Sequence, residues 1–295
     1  MNPLKMKYIL ITLLLTFVVS AIALTHEEPP KTLKEKKEKE EKAALYRGKN
    51  VASYTVWKHE AVDFKPDLEH KEKFLTTVLD RHGNIAEMLV YKNTDTLEYR
   101  VGFTFDEQGN MTDDTDFNPD GFINENINYK YDSLGRVTEQ MNYGENNAFD
   151  SKFIYEIDKE TNTLTFTKFK PADTIEYLII YNYDGLVDQG NNTEIIKQKP
   201  TGELIMRVEN CFDESNLRMQ KRIFDENNKL MYYFEYKYFE GTNRFSEIIK
   251  KSPEDQVLTK TVYNLNEQVL VHEVTTWDAE GNLTFFSGYT YEFKK

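Results

Sequence analysis

Residues 116–121 read Asp-Phe-Asn-Pro-Asp-Gly, which puts oxygen donors at positions one, three and five and glycine at six, as in the first half of a calcium-binding loop. The twelfth position, where such a loop needs a bidentate glutamate, is Ile127, so the stretch reads more simply as an Asn-Pro-Asp-Gly hairpin turn. The five histidines, at 26, 59, 70, 82 and 272, never recur four apart, so His59-Glu60 and His272-Glu273 do not extend into a zinc-protease helix. His82 falls in a turn pattern and His272 in a strand pattern. The chain has no Gly-x-Ser-x-Gly elbow, phosphate loop, Cys-x-x-Cys or Gly-x-Gly-x-x-Gly. Its 50 acidic residues always offer carboxylate pairs for glycoside cleavage, but only geometry identifies a working one. The expectation is no catalytic residue, no cofactor-binding residue and no metal ligand.

What must position any site here is a repeat. An apolar residue followed by Asp occurs at Asp80, Asp106, Asp132, Asp158 and Asp184, a constant interval of 26 residues. Further turn signals fall between them, so the unit divides into halves of about 13, each one strand and one turn. Later copies at Asp213, Asp225, Asn264 and Asp278 are less regular, and repetition covers roughly residues 75 to 295. Asp or Asn opening a turn can accept the N–H two residues on, and a fourth residue in the left-handed region closes a type I turn with a bulge. Gly83, Gly109, Gly121, Gly135, Gly202 and Gly281 stand at that fourth position, with Asn216 and Asn228 elsewhere. The apolar residue two beyond each glycine (Ile85, Met111, Ile123, Val137, Leu204, Leu283) is expected to restart an inward face.

Between turns the period is two: Leu97, Tyr99, Val101, Phe103 and Phe105 alternate with Glu98, Arg100, Gly102 and Thr104. One aromatic face and one wet face suit a half-buried antiparallel sheet. Roughly 16 turns imply an all-β, long antiparallel up-and-down meander of about 16 short strands, curled or rolled as a single sheet, because open sheets seldom exceed about ten strands. At about eight residues the strands are short for a lipid-embedded barrel, and their outer faces carry Lys and Glu.

Lys5 and Lys7, the apolar run 8–23 and the small residues Ala21 and Ala23 have the order of an export signal. The division is a signal peptide at 1–23, a charged linker or helix at 24–50 and one repeat domain at 51–295. The run 31–42 has no apolar stripe and is expected to be a solvated helix or tether. Cys211, alone, cannot form an internal disulfide and reads as a small buried residue. The net charge is −13; residues 24–50 carry eight Lys and Arg against six acids, leaving −17 on 51–295, which argues against nucleic acid.

Residues 129–137, Tyr-Lys-Tyr-Asp-Ser-Leu-Gly-Arg-Val, resemble the signature of the YD repeats of Rhs-type proteins, bacterial surface and secreted chains built from consecutive hairpins. Residues 105–110 and 277–283 are similar, with Phe or Trp for Tyr and Asn for Arg. The resemblance implies a bacterial origin and a hairpin sheet used as a shell or binding surface. The chain is too short to enclose a toxin domain as the large members do. The expected function is an exported, non-enzymatic repeat protein, a binding or scaffold surface in the periplasm or at the cell surface, with an unknown protein or glycan as partner. It has no integral membrane span once the signal is cleaved. A carbohydrate-binding module with Tyr and Trp stacked on sugars, or a hydrolase with an unrecognised carboxylate site, are the alternatives.

Overall fold

The computed structural model describes residues 28–62 and 65–294, so the export-type segment 1–23 and His26 lie outside the described residues. Among the described residues, the helix α1 (Leu33–Gly48) precedes the strands β1 (Val51–Val62), β2 (Lys65–Leu79), β3 (Ile85–Asn93), β4 (Thr96–Phe105), β5 (Met111–Phe117) and β6 (Ile123–Tyr131). Then come β7 (Val137–Tyr143), β8 (Phe149–Asp158), β9 (Thr163–Lys170), β10 (Thr174–Tyr183), β11 (Asn192–Gln198) and β12 (Leu204–Phe212). The last six are β13 (Arg218–Phe224), β14 (Leu230–Tyr238), β15 (Phe245–Lys251), β16 (Val257–Leu265), β17 (Val271–Asp278) and β18 (Leu283–Phe293).

Every strand pairs antiparallel with the next, and β18 returns to pair with β1 from Val51↔Phe293 to His59↔Phe286. The sheet is a closed up-and-down barrel of 18 strands, not an open curled sheet of about 16. Two physical facts account for the difference. Closure removes both hydrogen-bonding edges. The two extra strands are β1 and most of β2, whose connection lacks the Asp-x-x-Gly signal that marks the later turns.

The turn chemistry is as the spacing predicts. All eight closers have positive φ, between 60° and 88°. Asp80 Oδ1 accepts the N–H of His82 and of Asn84, and Asp106, Asp132, Asp213, Asp225 and Asp278 repeat the pattern two and four residues on. The fifth residue adds a reciprocal bond the spacing did not announce: Asn84, Asn110 and Asn282 donate Nδ2, and Arg136 donates Nε, back to the opening carboxylate.

Because 26 residues make one hairpin, Asp80, Asp106, Asp132, Asp158 and Asp184 all open turns at the same mouth of the barrel. There the residue two beyond the closer faces the lumen, as Ile85, Met111 and Val137 do in the core cluster. At the opposite mouth it does not. Ile123 and Leu204 pair with Phe117 and Gln198 on the outer face, and Ile123 is 46% exposed. The rotation about an in-plane axis that carries a chiral turn from one mouth to the other exchanges the two faces of the sheet. The expectation of a single inward rule is corrected accordingly.

The inner face is aromatic and apolar. Its larger cluster runs from Tyr54, Val56 and Leu75 through Met88, Val101, Phe103, Tyr129, Phe153 and Leu164, and a smaller one joins Val208, Ile223, Phe234, Tyr236 and Ile248. The outer face is laced with ion pairs: Arg100–Glu87 at 3.0 Å, Arg207–Glu209 at 2.6 Å, and Lys237 and Lys260 both on Glu247 at 2.6 Å. Cys211, expected to be buried, is exposed. It alternates with the inward Asn210 and pairs with Gln220, so strand parity puts it outside.

Candidate functional site

The stretch expected to be solvated or flexible is an ordered helix laid across one mouth. Thr32 caps α1 by accepting the Glu35 N–H, and Glu35 reaches back to the Lys31 N–H, a reciprocal cap. Just before it, the Val137 N–H donates to Pro30 O, tying the chain to the start of β7. Asp188, in the β10–β11 loop, accepts the Leu33 N–H at 3.0 Å and Arg136 at 2.8 Å, so a carboxylate sits at the positive end of the helix dipole.

Further along, Lys34 donates to Asn191, and Lys36 to Leu134 O. Tyr46 stacks on Tyr54 at 5.8 Å, and Arg47 donates to His82 O at the β2–β3 turn. The helix thus runs from the β10–β11 loop to the β2–β3 turn, eight strands away around an 18-strand ring, close to a diameter of the mouth. No helix residue is fully buried; Leu45 and Tyr46 near its end pack against the core, and polar contacts to the rim turns and loops hold the rest. A cleft of about 320 Å³ remains beside it, against the β2–β3 and β4–β5 turns.

At the helix N-terminus Lys31 points among Glu28, Glu35 and Tyr181. Burial alone would lower its pKa, but those neighbours outweigh it and hold it well above the ordinary range. Burial likewise pushes up the phenols of Tyr129, Tyr131, Tyr155, Tyr181, Tyr183 and Tyr289, which therefore stay neutral.

The wall from β9 to β15 differs from the rest of the inner face. In register it presents Lys168, Lys197, Arg218, Lys221 and Lys250 to the lumen. Lys168 has a carboxylate, Glu176, at 3.1 Å. Lys197 lies 4.0 Å from the ring centre of Tyr177, Lys250 4.0 Å from that of Tyr232, and Arg218 4.7 Å from that of Tyr236. Burial, with Arg218 beside it, lowers Lys221 to about 8; burial lowers Lys250 to about 8 as well. Burial and the nearby Lys168 lower Lys197. The Arg218 Nε and the Asn210 Oδ1 are buried and have no hydrogen-bond partner. Inward carboxylates gather elsewhere, as Asp114, Asp116 and Glu125 on β5 and β6.

The residues the sequence singled out do not converge. Asn118 and Gly121 close a hairpin turn at the opposite mouth, and Asn118 Oδ1 accepts the Phe122 N–H. His59 sits edge-on to Phe286, His70 binds Asp67, His82 lies in the β2–β3 turn and His272 is on β17. Among the described residues no group of three His, Cys, Asp or Glu side chains is placed to hold a metal ion. The lumenal cations were missed. The one legible signal was Arg218, two beyond the closer Asn216, where the same mouth elsewhere has Ile85, Met111, Val137 and Val271.

No protein-family model matches this sequence, and no curated protein does. Among solved structures, a porin-like protein from Bacteroides uniformis is 11% identical with a TM-score of 0.41, covering 82% of this chain and 98% of its own. A porin-like protein from Bacteroides vulgatus is 9% identical with the same coverages and a TM-score of 0.38. A DUF1329 family protein from Desulfovibrio piger is 8% identical with a TM-score of 0.27, covering 88% and 92%. At these scores none of them bears on what this chain does.

Proposed function

We propose that this is an exported, non-enzymatic binding protein that holds its ligand in the barrel lumen behind α1, in the periplasm or outside the cell. The observation that carries the reading is the state of β10 and β11: every residue on both strands keeps part of its surface exposed, the half-buried Tyr181 and Tyr183 included, although the sheet is closed. Eight strands leave room only for side chains, whereas 16 to 18 leave a wide interior, so an accessible inner wall is a hollow one. The expected scaffold surface is thereby moved from the outside of the sheet to its inside.

Export rests on the 1–23 segment alone. The absence of catalysis is supported by the scatter of the histidines and the want of any catalytic spacing. The outward ion pairs argue against a lipid-facing barrel, because charged side chains on a lipid face cost about 2 to 4 kcal/mol each at the bilayer midplane. The likeness of residues 129–137 to the YD signature is, in our reading, a shared turn chemistry. Titration of the purified protein with Nile red, a neutral apolar dye, tests the reading. Saturable binding is expected for the wild type and a loss for Met206→Trp, which fills the lumen from β12. An unaltered signal in the filled variant, with unchanged circular dichroism, would count against it.

A further inference from the structure

The ligand's chemistry follows from a break in the repeat. At the α1 mouth the residue two beyond a closer begins a lumen-facing row, and in four hairpins it is apolar: Ile85, Met111, Val137 and Val271. In the fifth it is Arg218. Three residues further along each strand comes the next inward position, held by Met88, Asp114, Gln140 and Val274, and on β13 it is Lys221. Two cations thus stand on one short strand, on the face where the repeat places its core.

A cation turned inward normally has a carboxylate beside it, as Lys168 has Glu176. Arg218 and Lys221 form no ion pair among the described residues. The inward acids Asp114, Asp116 and Glu125 are on β5 and β6, at least six strands away around the ring. Asn210, 8% exposed and paired in register with Lys221, adds a buried acceptor with no donor. Around this polar spot Ile223, Tyr232, Phe234, Tyr236 and Ile248 pack together on β13 to β15, with Lys250 seated over the Tyr232 ring. Glu38 on α1 reaches Arg218 electrostatically but forms no ion pair with it, so two like charges held close remain costly, and an anion placed between them removes that cost.

We infer that the lumen binds an anionic amphiphile, with its acid group between Arg218 and Lys221 and its apolar body along the aromatic wall of β14. This rests on the lumen being the binding site, and it adds the ligand's class. Lys221 supplies a point charge, and Arg218 a planar fork suited to two oxygens of a carboxylate or phosphate. Asn210 is placed to accept a hydroxyl next to that head group.

The test titrates the purified full chain with cis-parinaric acid, a fluorescent long-chain carboxylate, and with its neutral methyl ester. The acid is expected to bind about tenfold or more tightly than the ester. Arg218→Gln with Lys221→Gln should bring the acid down to the affinity of the ester and leave the ester unchanged. Lys221→Arg should keep the acid's advantage, which shows that charge and not bulk is responsible. Inorganic phosphate at millimolar concentration should not displace the acid. Equal binding of acid and ester, retention of acid binding by the double variant, or displacement by phosphate would overturn the assignment while leaving a lumenal site intact. Failure of both probes to bind would overturn the lumenal reading itself, and the assignment with it.

Discussion

Val269 closes the turn between β16 and β17 with φ of +62°, a conformation that a β-branched side chain resists. Asn266 imposes it, since its side chain accepts the N–H groups of Gln268 and Leu270 as the opening Asp does in the other turns. The valine side chain is largely exposed and contributes little packing, so Val269→Gly relieves strain at small cost. The substitution should stabilise the protein by about 1 kcal/mol, read from the urea midpoint at constant slope; an unchanged or lower midpoint would refute this. Lys221 and Lys250 carry the opposite kind of strain. With folded pKa values near 8 against about 10.4 in the unfolded chain, the unfolded state binds more protons between those limits. Stability should therefore rise as pH increases from about 8 to about 10. Lys221→Gln and Lys250→Gln together should flatten that rise relative to wild type, followed by thermal melts across the range. Parallel wild-type and variant curves would show that these lysines are not held in a desolvated wall.

At the scale of elements, α1 and its mouth make a separable unit. A Cβ on Gly83 would run into the backbone carbonyl of Ala43 in the helix, whereas one on Gly109, in the equivalent turn of the next hairpin, meets nothing. Both positions have φ above +80°, so Gly83→Ala and Gly109→Ala each incur a left-handed penalty of about 1 kcal/mol. Only Gly83→Ala should also lift the helix, exposing the lysines of 31–42 to trypsin at a rate well above wild type and Gly109→Ala; equal cleavage of all three would show that α1 does not rest on that turn. The hairpins were legible because Asp, Asn and Gly act within five residues of themselves. The docking of α1 was not, because a helix without an apolar stripe gives no period to read, and its partners Asp188, Leu134 and His82 are 35 to 155 residues away. The cap that Thr32 and Glu35 form at the helix start was not read from the sequence, and only an apolar run after it would have called for docking. The lumenal site was half legible: Arg218 breaks a visible rule, but which face that rule describes depends on which mouth the turn occupies.

The whole molecule depends on one pairing that no local pattern encodes, β1 with β18. The antiparallel register places Thr55 directly opposite Thr290, and the Trp57 indole donates to the Thr290 hydroxyl at 2.9 Å. A sheet of 18 strands that failed to close would leave these as two distant edges, each a template for pairing with another chain. Directly opposed residues on neighbouring antiparallel strands have Cβ atoms about 4.5 to 5.5 Å apart, near the separation a disulfide spans. Thr55→Cys with Thr290→Cys, made with the exposed Cys211 replaced by Ser, should therefore oxidise within one molecule. The bond would close a loop of nearly the whole domain, and long loops lose most unfolded-state entropy, so the oxidised form should gain about 2 to 4 kcal/mol over the reduced form. The readouts are a mobility shift of the monomer on a non-reducing gel and a melting temperature that falls on reduction. Cross-linked dimers with no shifted monomer would mean that the two strands meet only between chains, and the hollow on which the binding reading depends would not exist.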